Sequence, residues 1–135
     1  MIIEDCNAMN FLISTVLKKD FNITSAKNGI DAMHQLQSDL NRDLIILNIS
    51  DVESDNFQLL EHISTSSVLK DIHRVVISDS NDEQLRSKSA ELGASLFITK
   101  PFDPVLLSDS VRDLIKLNET SFGKKRKFSI NMNIF

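Results

Sequence analysis

The feature that most constrains this fold is a short apolar run at residues 43–49, Asp-Leu-Ile-Ile-Leu-Asn-Ile, in which Asn48 is the one uncharged polar residue. A continuous Leu/Ile run of this length, bounded by polar residues, is typical of a strand buried on both faces of a parallel sheet. The polar flanks leave too little length for the alternative, a buried helix. Ligands of open α/β sheets bind outside the carboxyl ends of the strands, so Asn48 is the first candidate functional residue.

Four further runs predict strands at residues 1–3, 21–26, 74–78 and 96–98, and an amphipathic segment follows each of the five strands. The helices are predicted to begin near Asn7, after the Asn28-Gly29 turn, near residue 56, at Asn81 or Asp82, and at Asp103-Pro104, with Gly93 ending the fourth. The first helix is expected to bury Ala8, Met9, Leu12, Ile13, Val16 and Leu17, and the last to bury Val105, Leu106, Val111, Leu114 and Ile115.

A β-α unit repeated five times predicts a five-stranded parallel sheet with right-handed crossovers and helices on both faces. Polar residues follow four of the strands, at the edge of the sheet where ligands bind. We therefore expect these residues to form one site: Glu4 and Asp5, Asn48 with Ser50, Ser78, and Lys100.

The net charge of −4 conceals an asymmetry, since residues 120–135 hold four of the 15 basic residues and none of the 19 acidic ones. Residues 1–119 therefore carry 11 basic and 19 acidic residues, a formal charge of −8. An acidic body is a poor nucleic-acid binder, because phosphate contacts require Lys and Arg. We predict one domain at residues 1–118 and a basic, disordered tail at 119–135. The tail is either solvated or a tether to DNA, a membrane or an acidic partner.

Several protein classes are excluded by residue types. Three glycines cannot supply a phosphate-binding loop or a dinucleotide fingerprint, and no serine lies in a nucleophile elbow. The single Cys6 cannot form an internal disulfide, and no segment approaches the roughly 20 apolar residues that span a bilayer. We expect a non-enzymatic, cytoplasmic protein with no membrane contact.

The ordered set of motifs resembles the receiver domain of two-component response regulators over about residues 2–117. The matching residues are Glu4-Asp5, Leu47-Asn48-Ile49, Ser78 and Lys100-Pro101-Phe102, with Asn28-Gly29-Ile30-Asp31-Ala32 and Ala90-Glu91-Leu92-Gly93-Ala94 as supporting segments. The resemblance implies a flavodoxin-like (βα)5 fold with sheet order 2-1-3-4-5 and a cis peptide bond at Lys100-Pro101.

In that family, an aspartate at the end of strand three accepts a phosphoryl group from a histidine kinase. By position, the resemblance implies that Glu4, Asp5 and the Ser50 carbonyl would bind Mg²⁺. Ser78 and Lys100 would contact the phosphoryl group. Phe97 would be the aromatic residue that changes rotamer together with Ser78.

The chain departs from the family at the centre of this site, because the acceptor position is Asn48. A carboxamide is a feeble nucleophile, so no acyl phosphate is expected there. The loss of one carboxylate should also weaken Mg²⁺ binding or abolish it. Asn48 is instead expected to donate a hydrogen bond to Glu4 or Asp5. The following loop differs too, with Asp51-Val52 where the family has Met-Pro.

Two functions compete on this basis. The first is a receiver-like signalling module that works without phosphorylation, through protein contacts on a face formed by helix four, strand five and helix five. Its partner would be a histidine kinase, another signalling protein or a second copy of the chain. The alternative is phosphotransfer to a neighbouring carboxylate, Asp51, with Mg²⁺.

Overall fold

The computed structural model describes residues 1–120, so most of the predicted basic tail lies outside the described residues. Five strands form one parallel sheet in the order β2-β1-β3-β4-β5. The strands are β1 (Ile2–Ile3), β2 (Ser25–Ala26), β3 (Leu44–Asn48), β4 (His73–Ser78) and β5 (Leu96–Thr99). The predicted strand order and the parallel arrangement are confirmed.

A helix follows each strand in the described part of the chain: α1 (Asn7–Leu17), α2 (Gly29–Ser38), α3 (Asp55–Thr65), α4 (Glu83–Glu91) and α5 (Pro104–Thr120). Side-chain oxygens of Asn28, Ser54 and Asp82 accept hydrogen bonds from the first turns of α2, α3 and α4. Such caps satisfy backbone donors that have no partner within the helix. Within residues 1–120, no helix is both long and apolar enough to cross a membrane.

The sheet has an apolar core on each face. Buried residues of α2, α3 and α4, including Leu36, Leu60 and Leu85, form the core on one face. Buried residues of α1 and α5, including Ile13 and Val111, form the core on the other. The apolar β3 run lies between the two cores, with Ile45 and Leu47 packed on one side and Leu44 and Ile46 on the other. The predicted strand buried on both faces is confirmed.

Some predicted helix faces were wrong. Ala8 and Leu12 are exposed on α1, whereas Ile13 and Leu17 are buried. On α5, Val105 and Leu106 are 62% and 63% exposed, and Leu107, absent from the predicted face, is 2% exposed. At 3.6 residues per turn, Leu107 lies about 40° from Val111 around the helix, whereas Val105 and Leu106 lie about 120° and 140° from it. The helical period therefore favours Leu107 on the buried face, and the predicted face did not follow that period in the first turn.

Strand two was predicted too long, because β2 contains only residues 25 and 26. The limit comes from β1, where Ile2 and Ile3 are the two residues that pair with β2. The first helix also begins differently from the prediction: the residue before its first turn is Cys6, which makes no side-chain capping bond.

Candidate functional site

Four of the predicted site residues meet at the carboxyl edge of the sheet. Glu4 follows β1, Asn48 ends β3, Ser78 ends β4, and Lys100 follows β5. All strands are parallel, so each one delivers its following residue to the same edge. Asp5 lies next to Glu4 but is exposed, so the acidic pair is divided between the interior and the surface.

Glu4 is the centre of the hydrogen-bond network at this edge. Its side chain is 2% exposed, and its Oε1 lies 3.3 Å from Lys100 Nζ. Its Oε2 accepts hydrogen bonds from Asn48 Nδ2 at 3.3 Å and from the Cys6 backbone N–H at 3.1 Å. A buried carboxylate is stable only when it is paired and hydrogen-bonded, and Glu4 meets both conditions.

The side chain of Asn48 therefore links the end of β3 to the residue that follows β1. The sequence predicted a hydrogen bond from Asn48 to Glu4 or Asp5, and the acceptor is Glu4. An aspartate would place a second carboxylate against Glu4, where the amide nitrogen of Asn48 donates a hydrogen bond. The backbone of Asn48 is held from the other side, where its carbonyl accepts a hydrogen bond from Asn56 Nδ2 at 2.7 Å. Asn56 in the first turn of α3 thus fixes the end of β3.

The loop after β3 turns away into solvent. Ser50 and Asp51 are both exposed. Asp51 Oδ1 accepts a hydrogen bond from the Glu53 backbone N–H at 2.8 Å, and the Asp51 carbonyl accepts one from Ser54 Oγ at 2.9 Å. The Asp51 carboxylate thus stabilises the turn that leads into α3.

Ser78 and Lys100 are joined through the backbone. Ser78 is fully buried, its carbonyl accepts a hydrogen bond from the Lys100 N–H at 2.7 Å, and its Oγ accepts one from the Ser80 N–H at 3.0 Å. The Lys100-Pro101 peptide bond is cis, as predicted. The hydrogen bond from the Lys100 N–H to the Ser78 carbonyl holds the Lys100 backbone where its side chain reaches Glu4.

Phe97 lies inside the molecule, with 4% of its surface exposed. The guanidinium of Arg86 on α4 covers the ring, with Cζ 4.7 Å from the ring centroid. Arg86 also donates a hydrogen bond from Nη2 to Asn81 Oδ1 at 3.3 Å. A cation over an aromatic face is attracted by the ring quadrupole, so Arg86 stabilises the inward position of Phe97.

The donor set fits Mg²⁺ poorly. Both oxygens of Glu4 accept hydrogen bonds, and Asn48 directs its amide nitrogen, a donor, toward Glu4. Mg²⁺ prefers oxygen ligands in near-ideal octahedral geometry. Within residues 1–120, no group of three or more His, Cys, Asp or Glu side chains is placed to hold a metal ion. Of the predicted ligands, Glu4 is engaged by Lys100, Asn48 and the Cys6 N–H, whereas Asp5 and Ser50 are exposed.

Two functional contacts were missed from the sequence. The sequence placed the start of the third helix near residue 56 without a role for the Asn56 side chain, and nothing singled out Arg86. The i, i+8 spacing of Asn48 and Asn56 carries no periodic signal, and the contact between Arg86 and Phe97 joins residues that are distant in the chain. Both contacts depend on how α3 and α4 lie against the sheet.

The comparisons with known proteins agree with this geometry. The family model of the response regulator receiver domain matches residues 1–112. This chain belongs to the response regulator receiver family. Receiver domains act in two-component signalling, where they interact with histidine kinases and other signalling proteins. They are generally signalling modules and not enzymes.

Curated relatives and solved receiver domains resemble the chain at moderate identity. The transcriptional regulatory protein KdpE of Staphylococcus aureus is 33% identical over 104 residues, which cover 76% of this chain and 43% of that protein. The two-component response regulator ORR5 of Oryza sativa is 30% identical over 105 residues, which cover 77% and 78%. The receiver domain of a histidine kinase from Syntrophus aciditrophicus superimposes with a TM-score of 0.74 at 29% identity, covering 96% and 93%.

Proposed function

We propose that this receiver domain signals without phosphorylation at residue 48 and acts through protein–protein contacts. The observation that carries the proposal is the hydrogen bond from Asn48 Nδ2 to Glu4 Oε2 at 3.3 Å. It places an amide donor where an attacking oxygen would be required. The lone pair of an amide nitrogen is delocalised into the carbonyl, so this group does not form an acyl phosphate.

The network around Glu4 supports a site that closes without a metal. Lys100 Nζ, the Cys6 N–H and Asn48 Nδ2 supply one cation and two neutral donors to a single carboxylate. This is the charge balance that a buried carboxylate needs in the absence of an ion. Any binding of Mg²⁺ that uses Glu4 as a ligand beside Asp5 and Ser50 would have to displace part of this network, so it would be weak.

The proposed contact surface is formed by α4, β5 and α5. Phe97 is already held inward under Arg86, and Val105 and Leu106 are exposed in the first turn of α5. A partner that prefers this arrangement would select it without a phosphoryl group. The partner would be a histidine kinase or another signalling protein, and a second copy of the chain could occupy the same face.

The test is incubation with acetyl phosphate and Mg²⁺, followed by intact mass measurement of the wild type, Asp51→Ala and Asn48→Asp. We expect no mass gain in the wild type and a gain of one phosphate in Asn48→Asp. A gain in the wild type that disappears in Asp51→Ala would contradict the proposal and favour phosphotransfer to Asp51. The hydrogen bond from the Glu53 N–H to Asp51 Oδ1 argues against that acceptor.

A further inference from the structure

Helix α1 is the one helix within residues 1–120 that carries no charged side chain. Its eleven residues, Asn7–Leu17, include no Asp, Glu, Lys or Arg, whereas α2, α3, α4 and α5 each contain at least one. One side of α1 is buried against the sheet through Ile13 and Leu17, but Phe11 and Leu12 are exposed. Charged residues are depleted at the centre of protein–protein interfaces, and aromatic residues are enriched there. The exposed side of α1 therefore has the composition of an interface.

Phe11 lies at the centre of this exposed side. It is 72% exposed, the largest fraction among the exposed large apolar residues of the described chain. Val105 at the start of α5 is exposed as well, and Ser108, three residues later, donates a hydrogen bond to the Val16 carbonyl. Val105 therefore lies on the side of α5 that adjoins α1. Exposed apolar side chains grouped in this way mark contact sites, and we call Phe11, Leu12 and Val105 the α1 patch.

Charged residues of opposite sign lie at the two ends of α1. Asp5 precedes the helix, Lys18 and Lys19 follow it, and all three are exposed. None of them forms an ion pair with another of the described residues 1–120. Phe11 follows Asp5 by six residues, and Leu12 precedes Lys18 by six. The charge pattern is therefore complementary to itself when the helix is reversed about its centre.

A second copy of the chain fits this pattern. A two-fold interface uses the same surface of both copies, so the residues of one copy meet those of the other in reverse order. With two α1 helices antiparallel and Phe11 and Leu12 at the axis, Asp5 of each copy lies beside Lys18 and Lys19 of the other. The positive end of each helix dipole then also meets the negative end of the other helix.

Net charge favours α1 over the rest of the surface for this contact. Residues 1–119 carry a formal charge of −8, so two copies repel each other over most of their surfaces. The segment from Asp5 to Lys19 holds two basic residues and one acidic residue, a formal charge of +1. Two copies therefore approach each other with less repulsion through this segment.

We propose that two copies of this chain form a two-fold symmetric dimer through the α1 patch, with antiparallel α1 helices and Asp5 of each copy paired with Lys18 or Lys19 of the other. One helix and the first turn of a second bury less area than a standard interface, so the dimer is weak and depends on protein concentration. Helices α1 and α4 pack on opposite faces of the sheet, so α4 stays accessible to another protein in the dimer. The contact is independent of the chemistry at Asn48.

The test is sedimentation velocity of the full-length chain between about 10 µM and about 1 mM, a range that detects weak association. We expect the sedimentation coefficient to rise from that of a monomer toward that of a dimer. Phe11→Asp should raise the dimer Kd at least about tenfold, because it places two charges at the centre of the interface. Ile30→Asp, at a position on α2 that is 64% exposed, should leave the Kd unchanged. A monomer at every concentration, or an unchanged Kd in Phe11→Asp, would overturn the proposal and leave α1 to a different partner.

An exchange of charges tests the antiparallel arrangement. Asp5→Lys should weaken the dimer, and so should Lys18→Glu combined with Lys19→Glu, because each change sets like charges against each other. A mixture of the two variants should dimerise as the wild type does, since both contacts of the mixed dimer again join opposite charges. This recovery would also show that both variants are folded. A mixture that stays monomeric would overturn the antiparallel packing.

A further variant separates this dimer from one formed through the contact surface of α4, β5 and α5. Leu106 lies on that surface and is 63% exposed. Leu106→Asp should therefore leave the Kd of the α1 dimer unchanged. A dimer that is lost in Leu106→Asp but kept in Phe11→Asp would place the second copy on the other surface, which overturns the proposal.

Discussion

Among the single residues of the site, Asn48 forms a hydrogen bond with Glu4 where an aspartate would repel it. Its amide nitrogen donates to the Glu4 carboxylate, which also receives Lys100. Two ionised carboxylates at the 3.3 Å that separates Asn48 Nδ2 from Glu4 Oε2 would repel each other, whereas an amide N–H and a carboxylate attract. The substitution therefore removes a nucleophile and at the same time stabilises the pocket that surrounds it.

Glu4→Gln should destabilise the protein by about 3 kcal/mol, because it leaves the Lys100 ammonium with no carboxylate at Glu4. The estimate is at the low end, since the Lys100 side chain remains 17% exposed and keeps contact with water. Chemical denaturation measures the change. Adding Lys100→Met should cost less in the Glu4→Gln background than in the wild type, with a coupling of at least about 1 kcal/mol. Strict additivity would show that the pair contributes nothing.

Among the helices, α5 buries Val111 and Leu114 as predicted but buries Leu107 in place of Val105 and Leu106. Leu107 is buried and Leu106 is exposed, although the two are neighbours of identical chemistry. Leu107 joins the core between α5 and α1, while Leu106 lies on the proposed contact surface.

This pair gives a matched test of which face of α5 is buried. Leu107→Ala should cost about 2–5 kcal/mol of stability, the usual range for a buried leucine. Leu106→Ala should change stability by no more than about 0.5 kcal/mol, as expected at an exposed position. Urea denaturation of the two variants measures both changes in the free energy of unfolding. Equal losses, or a larger loss for Leu106→Ala, would contradict the burial of Leu107 and the exposure of Leu106.

The connection between α4 and β5 depends on a glycine. Gly93 has φ +86°, and a Cβ there would lie 2.1 Å from Arg74 Nη2. The Arg74 guanidinium donates to the carbonyls of Lys70 and Ile72, and its burial lowers its pKa from the ordinary value, with Asp71 opposing the shift. Gly93 thus leaves room for a buried cation.

Gly93→Ala should cost about 2–4 kcal/mol, combining left-handed backbone strain with the clash against Arg74. In an Arg74→Met background, the additional cost of Gly93→Ala should fall to about 1–2 kcal/mol, which is the backbone contribution alone. Thermal denaturation of the four proteins gives both values. An unchanged cost in the two backgrounds would show that Arg74 does not occupy this space.

At the scale of the whole molecule, metal binding should be visible as a change in global stability. A ligand that binds only the folded state stabilises it by RT ln(1 + [L]/Kd), so a Kd well above about 10 mM gives less than about 0.4 kcal/mol at that concentration. We expect the melting temperature of the wild type to stay unchanged in about 10 mM Mg²⁺ for this reason.

Asn48→Asp should be less stable than the wild type without Mg²⁺, because it loses the hydrogen bond to Glu4, and should gain melting temperature when Mg²⁺ is added. Asn41→Asp adds the same charge at an exposed position and should show no such gain. Salt of equal ionic strength replaces Mg²⁺ in the blanks. An equal rise in the wild type and Asn48→Asp would contradict the weak site proposed here.

Much of the fold could be predicted because its signals are local. The Leu/Ile run of β3, the start of the second helix after the Asn28-Gly29 turn and the stop at Gly93 each depend on residues within one turn or strand, and each was found in the structure. The site residues Glu4, Asn48, Ser78 and Lys100 could be placed at one edge because parallel strands end together. The Arg86–Phe97 contact could not, because it depends on packing between elements.

By itself the sequence determined the order of strands and helices, the class of sheet and the chemical nature of residue 48. These follow from the periods of the apolar residues and from which functional groups a side chain carries. That Asn48 donates to Glu4 and that Asp5 remains at the surface were known only from the folded arrangement. Those outcomes depend on distances between residues far apart in the chain, which packing of the whole molecule sets.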